Sequence, residues 1–280
     1  MRLLVASTPD LASMNLKERL LEAAEWTARG QFQGRPFLVH DDLCMVTTDV
    51  LHLHLDHFDR QVMEGTGTDI EDVVFLSKHR AASGTPTLTV HPIGNYGKAD
   101  YGGREGTLTP SSPAFLSGML REISRTAKGL PFQVSYEVTH HGPFLDRPTS
   151  FVEIGSDETN WGNEGAAKAL AEALLHFRPG KGPVVIGVGG GHYAPRFTEV
   201  TLAKEVSFGH MVPKHVLDAG DDEHALSCIQ KAMKASGTDA AYLHKKSFSK
   251  PDARRYREMI ESAGYRILES SDLKDAQSLP

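Results

Sequence analysis

Short apolar runs separated by helical patterns constrain the fold of this chain more than any other feature. Runs such as DVVFL (72–76) and PVVIGV (183–188) lack polar alternation, which is typical of strands buried on both faces of a sheet. The predicted strands are Leu3–Ala6, Leu43–Thr47, Leu51–Leu55, Asp72–Leu76, Leu88–His91, Gln133–Thr139, Ser150–Ile154, Pro183–Val188 and Ala240–Leu243. Helices are predicted at Leu16–Ala28, Pro113–Thr126, Asn163–Phe177 and Glu223–Ser236. This alternation predicts an α/β fold of three layers, with a mixed, largely parallel sheet covered by helices on both faces.

Cap signals mark the ends of two helices. Asn15 is the predicted N-cap of the first helix, and Gly30 follows its predicted end. Ser249 begins an S-x-x-D pattern with Pro251 in the first turn, and Gly264 follows the end of the helix that this pattern predicts.

Composition narrows the class of protein. The 280 residues contain no repeat and no Gly/Ser/Pro linker, which predicts a single domain over residues 1–280. No apolar run approaches the ~20 residues that a membrane helix needs. The N-terminus lacks the long apolar core of a signal peptide, so we expect a cytoplasmic protein. A formal net charge of -6 is not that of a protein that coats nucleic acid non-specifically, and any RNA contact requires a local basic patch.

Histidine, and not cysteine, carries the metal-binding potential of the chain. Cys44 and Cys228 lie in an apolar run and a predicted helix, where reduced and buried thiols are expected. Two thiols are too few for a thiolate-rich zinc site. In contrast, most of the 14 histidines lie in or beside short motifs. Histidine is the commonest metal ligand and the commonest general base.

Polar motifs follow several predicted strands, at the places where functional residues of α/β sheets gather. Lys78-His79-Arg80 follows DVVFL and suits a phosphate or carboxylate contact, with a solvated loop as an equal alternative. His91 stands at the tip of the next strand, where it either faces a cleft or is a capped core histidine.

The segment EVTHHGP (137–143) places two histidines near a carboxylate. In an extended strand Glu137, Thr139 and His141 share one face and His140 lies on the other. The set suits a metal, or a base with its orienting partner, and an incidental histidine pair in a loop is the alternative. Glu153 lies inside an apolar strand, where it is either coordinated or part of a buried salt bridge.

The segment VGGGHYAPR (188–196) is the most specific chemical signal. Three glycines directly after a buried strand allow backbone N–H groups to hold an oxyanion or a phosphate. The spacing is neither that of a dinucleotide-binding loop nor that of a P-loop. His192, Tyr193 and Arg196 add a base, a stacking ring and a phosphate contact.

Two weaker motifs complete the set. His210 in SFGH is a further candidate for the same cleft. Cations between residues 245 and 257 are interspersed with Phe248 and Tyr256, which suits a nucleic-acid backbone, and a solvated helix face is about as good an interpretation.

Taken together, these motifs resemble the D-aminoacyl-tRNA deacylases of archaea and plants, the second type of that enzyme. The resemblance runs from about Leu4 to about His215. It rests on ASTPDLASMN, FLSKHRAASGTPTLTVHPIGN, YEVTHHGPF, SFVEIGSDETNW and VGGGHYAPRFTEV followed by FGH. It implies a phosphorylase/hydrolase-like α/β domain related to peptidyl-tRNA hydrolase, and zinc-dependent hydrolysis of the ester that joins a D-amino acid to tRNA. We expect a monomer that acts on the aminoacylated 3′ end of tRNA.

Motifs and resemblance together give a set of site residues. The expected catalytic residues are His91, Glu137, His141 and His192. The expected zinc ligands are His91, His140, His141, Glu153, His192 and His210. The expected substrate contacts are Lys78, His79, Arg80, Asn95, Gly189, Gly190, Gly191, Tyr193 and Arg196. The expected contacts with the tRNA backbone are Lys245, Lys246, Lys250, Arg254 and Arg255.

Two segments depart from the family pattern, and two rival functions stay open. LHKKSF (243–248) stands where an acidic D-W-K-like segment is expected, and LHLHLDH (51–57) has no counterpart. The first rival is a peptidyl-tRNA hydrolase or zinc amidase, which would prefer N-blocked substrates or amides. The second is a catalytically silent RNA-binding protein that uses the basic stretch.

Overall fold

The computed structural model describes residues 1–276, which form two β-sheets surrounded by helices. In spatial order the larger sheet contains β2 (Thr27–Phe32), β3 (Arg35–His40), β4 (Leu43–Thr48), β1 (Arg2–Ser7), β5 (Asp72–Lys78), β8 (Thr149–Gly155), β6 (Thr87–Pro92) and β7 (Gln133–Tyr136). The smaller contains β10 (Ser207–Val212), β9 (Val184–Val188), β11 (Ala240–Leu243) and β12 (Arg266–Ile267).

The strand pairs are mostly parallel. All pairs in the smaller sheet are parallel, and in the larger sheet only β2–β3, β3–β4 and β6–β8 are antiparallel. The predicted class, a layered α/β fold with mixed and largely parallel pairing, is therefore confirmed. The division of the strands between two sheets was not predicted.

The helices connect successive strands. They are α1 (Leu11–Ala23), α2 (Phe58–Thr66), α3 (Pro113–Thr126), α4 (Glu158–Trp161), α5 (Glu164–Leu175), α6 (Pro195–Ala203), α7 (Lys214–Leu217), α8 (Asp222–Ser236) and α9 (Lys250–Ser262). Within residues 1–276, no helix combines the length and the apolar character needed to cross a membrane.

Both faces of the larger sheet are buried, because successive residues of a strand point to opposite sides. Leu4 and Ala6 of β1 belong to a central core that also contains residues of α1, α3 and α5, and Phe208 of β10. Leu3 and Val5 pack on the other face with residues of α2. A third core lies between the smaller sheet and helices α8 and α9. The central core therefore joins the two sheets.

The first helix begins earlier than the sequence indicated. The Asp10 side chain accepts a hydrogen bond from the Ser13 N–H at 3.0 Å, so Asp10 is the N-cap and not Asn15. The Asn15 amide instead donates to the Trp161 carbonyl at 3.0 Å. The predicted helix Leu16–Ala28 was therefore wrong at both ends, since α1 ends five residues before Ala28, which lies in β2.

Two predicted strands differ from the structure. Leu51–Leu55 is not a strand, because residues 52–54 form a 3-10 turn in which the His54 N–H donates to the Leu51 carbonyl at 3.0 Å. The alternation of Leu and His predicted a strand, but a strand also needs a neighbouring strand to pair with, and this segment has none in the structure of residues 1–276. The strand predicted at Gln133–Thr139 ends at Tyr136. In contrast, the bounds of α3 and the Ser249 cap of α9 are confirmed.

Candidate active site

The polar residues predicted near strand ends converge where β6 runs antiparallel to β8. Glu153 in β8 is in register with Ser77 of β5 on one side and with Thr89 of β6 on the other. His91 lies two residues beyond Thr89 in β6, so it projects on the same face as Glu153. Glu137 follows β7 directly. Four adjacent strands thus deliver side chains to one place on the sheet.

Glu137 is the centre of this cluster. Its Oε2 lies 2.9 Å from His192 Nε2, 3.1 Å from His79 Nδ1 and 3.3 Å from His140 Nε2. Its side chain is fully buried. Burial alone would raise the pKa of Glu137, but the surrounding imidazoles hold that pKa well below its ordinary value. The carboxylate is therefore an anion held inside the protein by histidines.

Glu153 forms a second buried anion beside the first. Its Oε2 lies 3.5 Å from His79 Nδ1 and 3.6 Å from His91 Nε2. Burial opposes ionisation, yet these two histidines lower the pKa of Glu153 to about 2. Burial also opposes the charging of His79, but the two carboxylates raise the pKa of His79 to about 11. Two anions so close together require positive charge between them.

The donor set fits a metal ion. Three groups offer ligand atoms within 4.8 Å of one another, and they are His91 with His140 and His141, His79 with Glu137 and His192, and His91 with Glu137 and Glu153. Among the described residues, His91 Nε2, His141 Nδ1 and Glu137 Oε1 are buried without a hydrogen-bond partner. Buried polar atoms are rarely left unsatisfied, so this arrangement is typical of a site that binds a cation.

Carbonyl groups fix the tautomers that metal binding requires. His140 Nδ1 donates to the Val138 carbonyl at 2.8 Å, and His91 Nδ1 donates to the Pro92 carbonyl at 3.1 Å. In the neutral ring each Nε2 then presents a lone pair to the cluster. Burial opposes a positive charge on His141, and so would protonation of His140 or His91, so the pKa of His141 lies well below its ordinary value and this ring is neutral. Neutral imidazole is the form that binds metal.

A pocket of about 230 Å³ opens beside His140 and His141. Its walls include Asn95, Tyr101 and His215. His192 is the most exposed histidine of the cluster, with 41% of its side chain accessible. Water and a substrate can therefore reach the cluster both at this pocket and at His192.

The comparisons with known proteins place the chain. A family model described as D-aminoacyl-tRNA deacylase matches residues 66–268. The chain belongs to the D-aminoacyl-tRNA deacylase family. It is 36% identical over 99% of its length to the D-aminoacyl-tRNA deacylase of Methanococcoides burtonii, and it spans 58% of that protein's length. It is 35% identical over 99% of its length to the Methanosarcina mazei deacylase, of which it spans 94%.

One further relative and one solved structure also match this chain over nearly its whole length. The Thermococcus kodakarensis D-aminoacyl-tRNA deacylase is 33% identical over 96% of this chain and 99% of its own length. The crystal structure of a conserved protein of unknown function superposes with a TM-score of 0.85 at 32% identity, covering 98% of this chain and 96% of the other. The whole fold, and not only the cluster, is therefore shared with relatives.

The segment after β7 differs from its predicted geometry. Because the strand ends at Tyr136, Glu137 and His140 meet in the cluster, where the alternation of an extended strand would have separated them. Thr139 turns away and its hydroxyl pairs with His210 Nδ1 at 3.0 Å. His210 Nε2 donates to the Thr109 carbonyl at 2.9 Å. Both nitrogens of this buried ring are engaged, so His210 is not among the ligands that we propose.

The glycine loop lies against the cluster, but only part of it is free to hold an anion. Gly189 and Gly190 have φ values of 96° and 88°, which favour glycine. The Gly189 N–H donates to the Val212 carbonyl at 2.8 Å and is unavailable. Among the described residues, the N–H groups of Gly190 and Gly191 have no acceptor. Of the three glycines predicted to hold an oxyanion, only Gly190 and Gly191 therefore have N–H groups that are available for it.

The predicted substrate contacts separate into three places. His79 lies inside the cluster, and its Nε2 pairs with the Tyr193 hydroxyl at 3.0 Å. The predicted cations Lys78 and Arg80 stack on Trp161 at 5.0 and 4.7 Å. The Asn95 amide donates to the Gly102 carbonyl at 2.8 Å, so it fixes a neighbouring loop.

Arg196 faces a different cavity from the cluster. It donates to the Tyr242 hydroxyl at 2.8 Å and lines a pocket of about 540 Å³ together with His244, Lys245 and Lys246. The glycine loop separates this pocket from the cluster, since a Cβ on Gly190 would lie 3.2 Å from His244 Nδ1. The pocket therefore lies at the carboxyl ends of β9 and β11, beside the glycine loop.

Most cations of the basic stretch are paired with carboxylates. Lys245 lies 2.6 Å from Glu269, Arg254 lies 2.7 Å from Glu258, and Arg255 lies 3.0 Å from Asp222. Lys246 and Lys250 have no carboxylate within 4.0 Å in residues 1–276, and both are exposed. Exposed ion pairs are weak, so the paired cations can still exchange partners with phosphates.

The structure brings three residues to the site in positions that the sequence analysis did not predict. His79 was expected to touch substrate, and its position among two carboxylates was missed because sequence spacing does not show which strands are neighbours. Tyr101 and His215 were not singled out, although both line the pocket beside the cluster. The two glycines that follow Tyr101 were the only signal of a special loop.

Proposed function

We propose that the cluster around Glu137 is the hydrolytic centre of a D-aminoacyl-tRNA deacylase. Water attacks the carbonyl of the ester that joins the D-amino acid to the 3′-terminal ribose, and the products are the free D-amino acid and tRNA. The observation that carries the proposal is the convergence of Glu137 with His79, His140 and His192 within 3.3 Å, beside a pocket, in a member of this family.

We propose zinc as the metal of this centre. Imidazole and carboxylate are ligands of zinc when cysteine is absent, and both cysteines lie elsewhere. The ligands would come from His91, His140, His141, Glu137 and Glu153, which form the first and third of the groups described above. Zinc bound there would supply a Lewis acid that lowers the pKa of water toward neutrality.

The side chains of this protein have distinct tasks in the reaction. His192 is accessible and contacts Glu137 at 2.9 Å, an arrangement in which the carboxylate orients the imidazole that takes the proton from water. The N–H groups of Gly190 and Gly191 donate to the oxygen that gains negative charge. His79 neutralises the paired carboxylates.

The tRNA end is held by cations around the cluster. Arg80, which is exposed and stacks on Trp161, and the pocket of Arg196, Lys245 and Lys246 supply cations that can contact phosphates. Since the formal net charge of the chain is -6, binding relies on this local positive surface.

Further properties follow as proposals. We infer a cytoplasmic monomer with one domain, and a core related to that of peptidyl-tRNA hydrolase. The shared central core of the two sheets supports the single domain. One cooperative unfolding transition and a monomer mass in sedimentation would be the matching results.

The test compares acyl-tRNA substrates directly. Release of tyrosine from D-tyrosyl-tRNA and L-tyrosyl-tRNA, and of N-acetyltyrosine from N-acetyl-L-tyrosyl-tRNA, is measured with the wild type and with His192→Ala. We expect hydrolysis of the D ester alone and a loss of about 10²–10⁴-fold in the variant. Equal rates on the D and L esters would refute the specificity, and preference for the N-acetylated substrate would favour the peptidyl-tRNA hydrolase alternative. Binding of tRNA without any hydrolysis would favour the silent RNA-binding protein.

A further inference from the structure

Tyr101 is exposed at the rim of the pocket beside the cluster. With 68% of its surface accessible, it is the most exposed large hydrophobic side chain in residues 1–276. His140 and His141 line the same pocket. A large ring left in water at that position has no packing role in the fold.

The backbone that carries Tyr101 is fixed to the cluster. The Gly142 N–H donates to the Tyr101 carbonyl at 3.2 Å, and the Asn95 amide donates to the Gly102 carbonyl at 2.8 Å. Gly102 has a φ of 85°, and a Cβ there would overlap the Leu53 carbonyl, so this loop packs without space for side chains. The backbone of Tyr101 is therefore fixed beside Gly142, next to His141, which reduces the entropy lost when a ligand stacks on the ring.

We propose that Tyr101 stacks on the base of the 3′-terminal nucleoside of tRNA. The inference rests on the proposed function, because it assumes an ester on the terminal ribose. Base and ester are substituents of the same ribose, so an ester placed at the cluster puts the base within reach of its rim. Exposed aromatic rings are the usual platform for unpaired bases.

The pocket suits a nucleoside better than an amino-acid side chain. At about 230 Å³ it is smaller than typical sites for whole ligands, so it holds one part of the substrate. Lys98 lines it, is exposed and forms no ion pair among the described residues, which suits the phosphate that precedes the terminal nucleoside. Because the Tyr101 ring is 68% accessible, one of its faces is available to a planar base.

The test is a cycle of two enzymes and two small esters. The esters are 3′-O-D-tyrosyl-adenosine and the D-tyrosyl ester of methyl riboside, which lacks the base. Wild type should cleave the adenosine ester with a kcat/KM about 5- to 100-fold higher than that of the riboside ester. Tyr101→Ala should cleave the two esters with kcat/KM values equal within about twofold. Tyr101→Phe should retain most of the base preference, because the ring and not the hydroxyl stacks.

Controls separate the possible failures. Leu21→Ala removes another exposed hydrophobic side chain, 40% accessible on α1, and should leave the base preference of wild type intact. A base preference unchanged by Tyr101→Ala would overturn the stacking. The 3′-O-D-alanyl ester of adenosine is compared with the D-tyrosyl ester as well. If Tyr101→Ala changes the preference between these two amino acids but leaves the base preference unchanged, stacking is overturned and the pocket binds the amino acid instead. If wild type cleaves neither these esters nor D-tyrosyl-tRNA, the proposed function itself fails.

Discussion

Replacing Glu137 by Gln should remove most of the stabilisation that zinc confers on this protein. The substitution keeps the shape of the side chain and removes its charge. Glu137 lies within 3.3 Å of three histidines and is fully buried, so its carboxylate is the group that most favours a cation in the cluster. Glu122→Gln is the matched control, because Glu122 is also buried but pairs with Arg125 at 2.9 Å on α3.

The expected magnitude follows from mass action. At free zinc about 1,000-fold above the dissociation constant, binding to the folded state adds about 4.1 kcal/mol to the free energy of unfolding. For a chain of this size about 1 kcal/mol shifts Tm by about 2–4 °C, so zinc should raise the Tm of wild type by about 8–16 °C. If Glu137→Gln weakens zinc binding about 100-fold, the same free zinc adds only about 1.4 kcal/mol and about 3–6 °C.

The assay is thermal unfolding of chelator-stripped protein in a zinc buffer, with and without metal. Each variant is compared with itself, so any change in the stability of its metal-free form cancels. Glu122→Gln should keep the wild-type increment even if its absolute Tm falls. A full increment in Glu137→Gln would show that zinc binds elsewhere, and the absence of an increment in wild type would leave catalysis by histidine alone.

Three further results are expected. Gly189→Ala should lower stability and hydrolysis, because Gly189 has a φ of 96° and its Cβ would lie 2.5 Å from neighbouring atoms, whereas Gly191→Ala meets no atom within 4 Å and should be milder in both assays. Replacing Lys246 and Lys250 by Ala should reduce the slope of log affinity for tRNA against log salt by about 1.4–1.8, and an unchanged slope would exclude phosphate contacts there. Burial lowers the pKa of His210 to about 4. Below about pH 6.5 the His210 imidazole is therefore protonated in the unfolded chain and stays neutral in the folded chain until about pH 4. The free energy of unfolding should therefore fall by about 1.4 kcal/mol per pH unit between pH 6 and 4, and His210→Asn should remove that part of the slope in denaturant titrations.

The sequence by itself determined the class of fold and the identity of most chemical groups. Apolar runs such as DVVFL are typical of strands covered on both faces, and the structure places this run in such a strand. Local signals also fixed the bounds of α3 and the Ser249 cap, since both depend on residues that are neighbours in the chain. Motifs at strand ends also indicated five members of the cluster as ligands or catalytic residues, because parallel sheets expose functional groups at such ends. These five are His91, Glu137, His140, His141 and His192.

Only the tertiary structure decided which of these groups meet. The order β5-β8-β6-β7 brings His79 to Glu137 and Glu153, and no spacing in the sequence encodes that order. His210 carried the same local signal as the other histidines, yet its two nitrogens are taken by Thr139 and Thr109. Local patterns report the burial and backbone geometry of a few neighbouring residues, whereas a site is made by strand order and by loops that approach from distant parts of the chain.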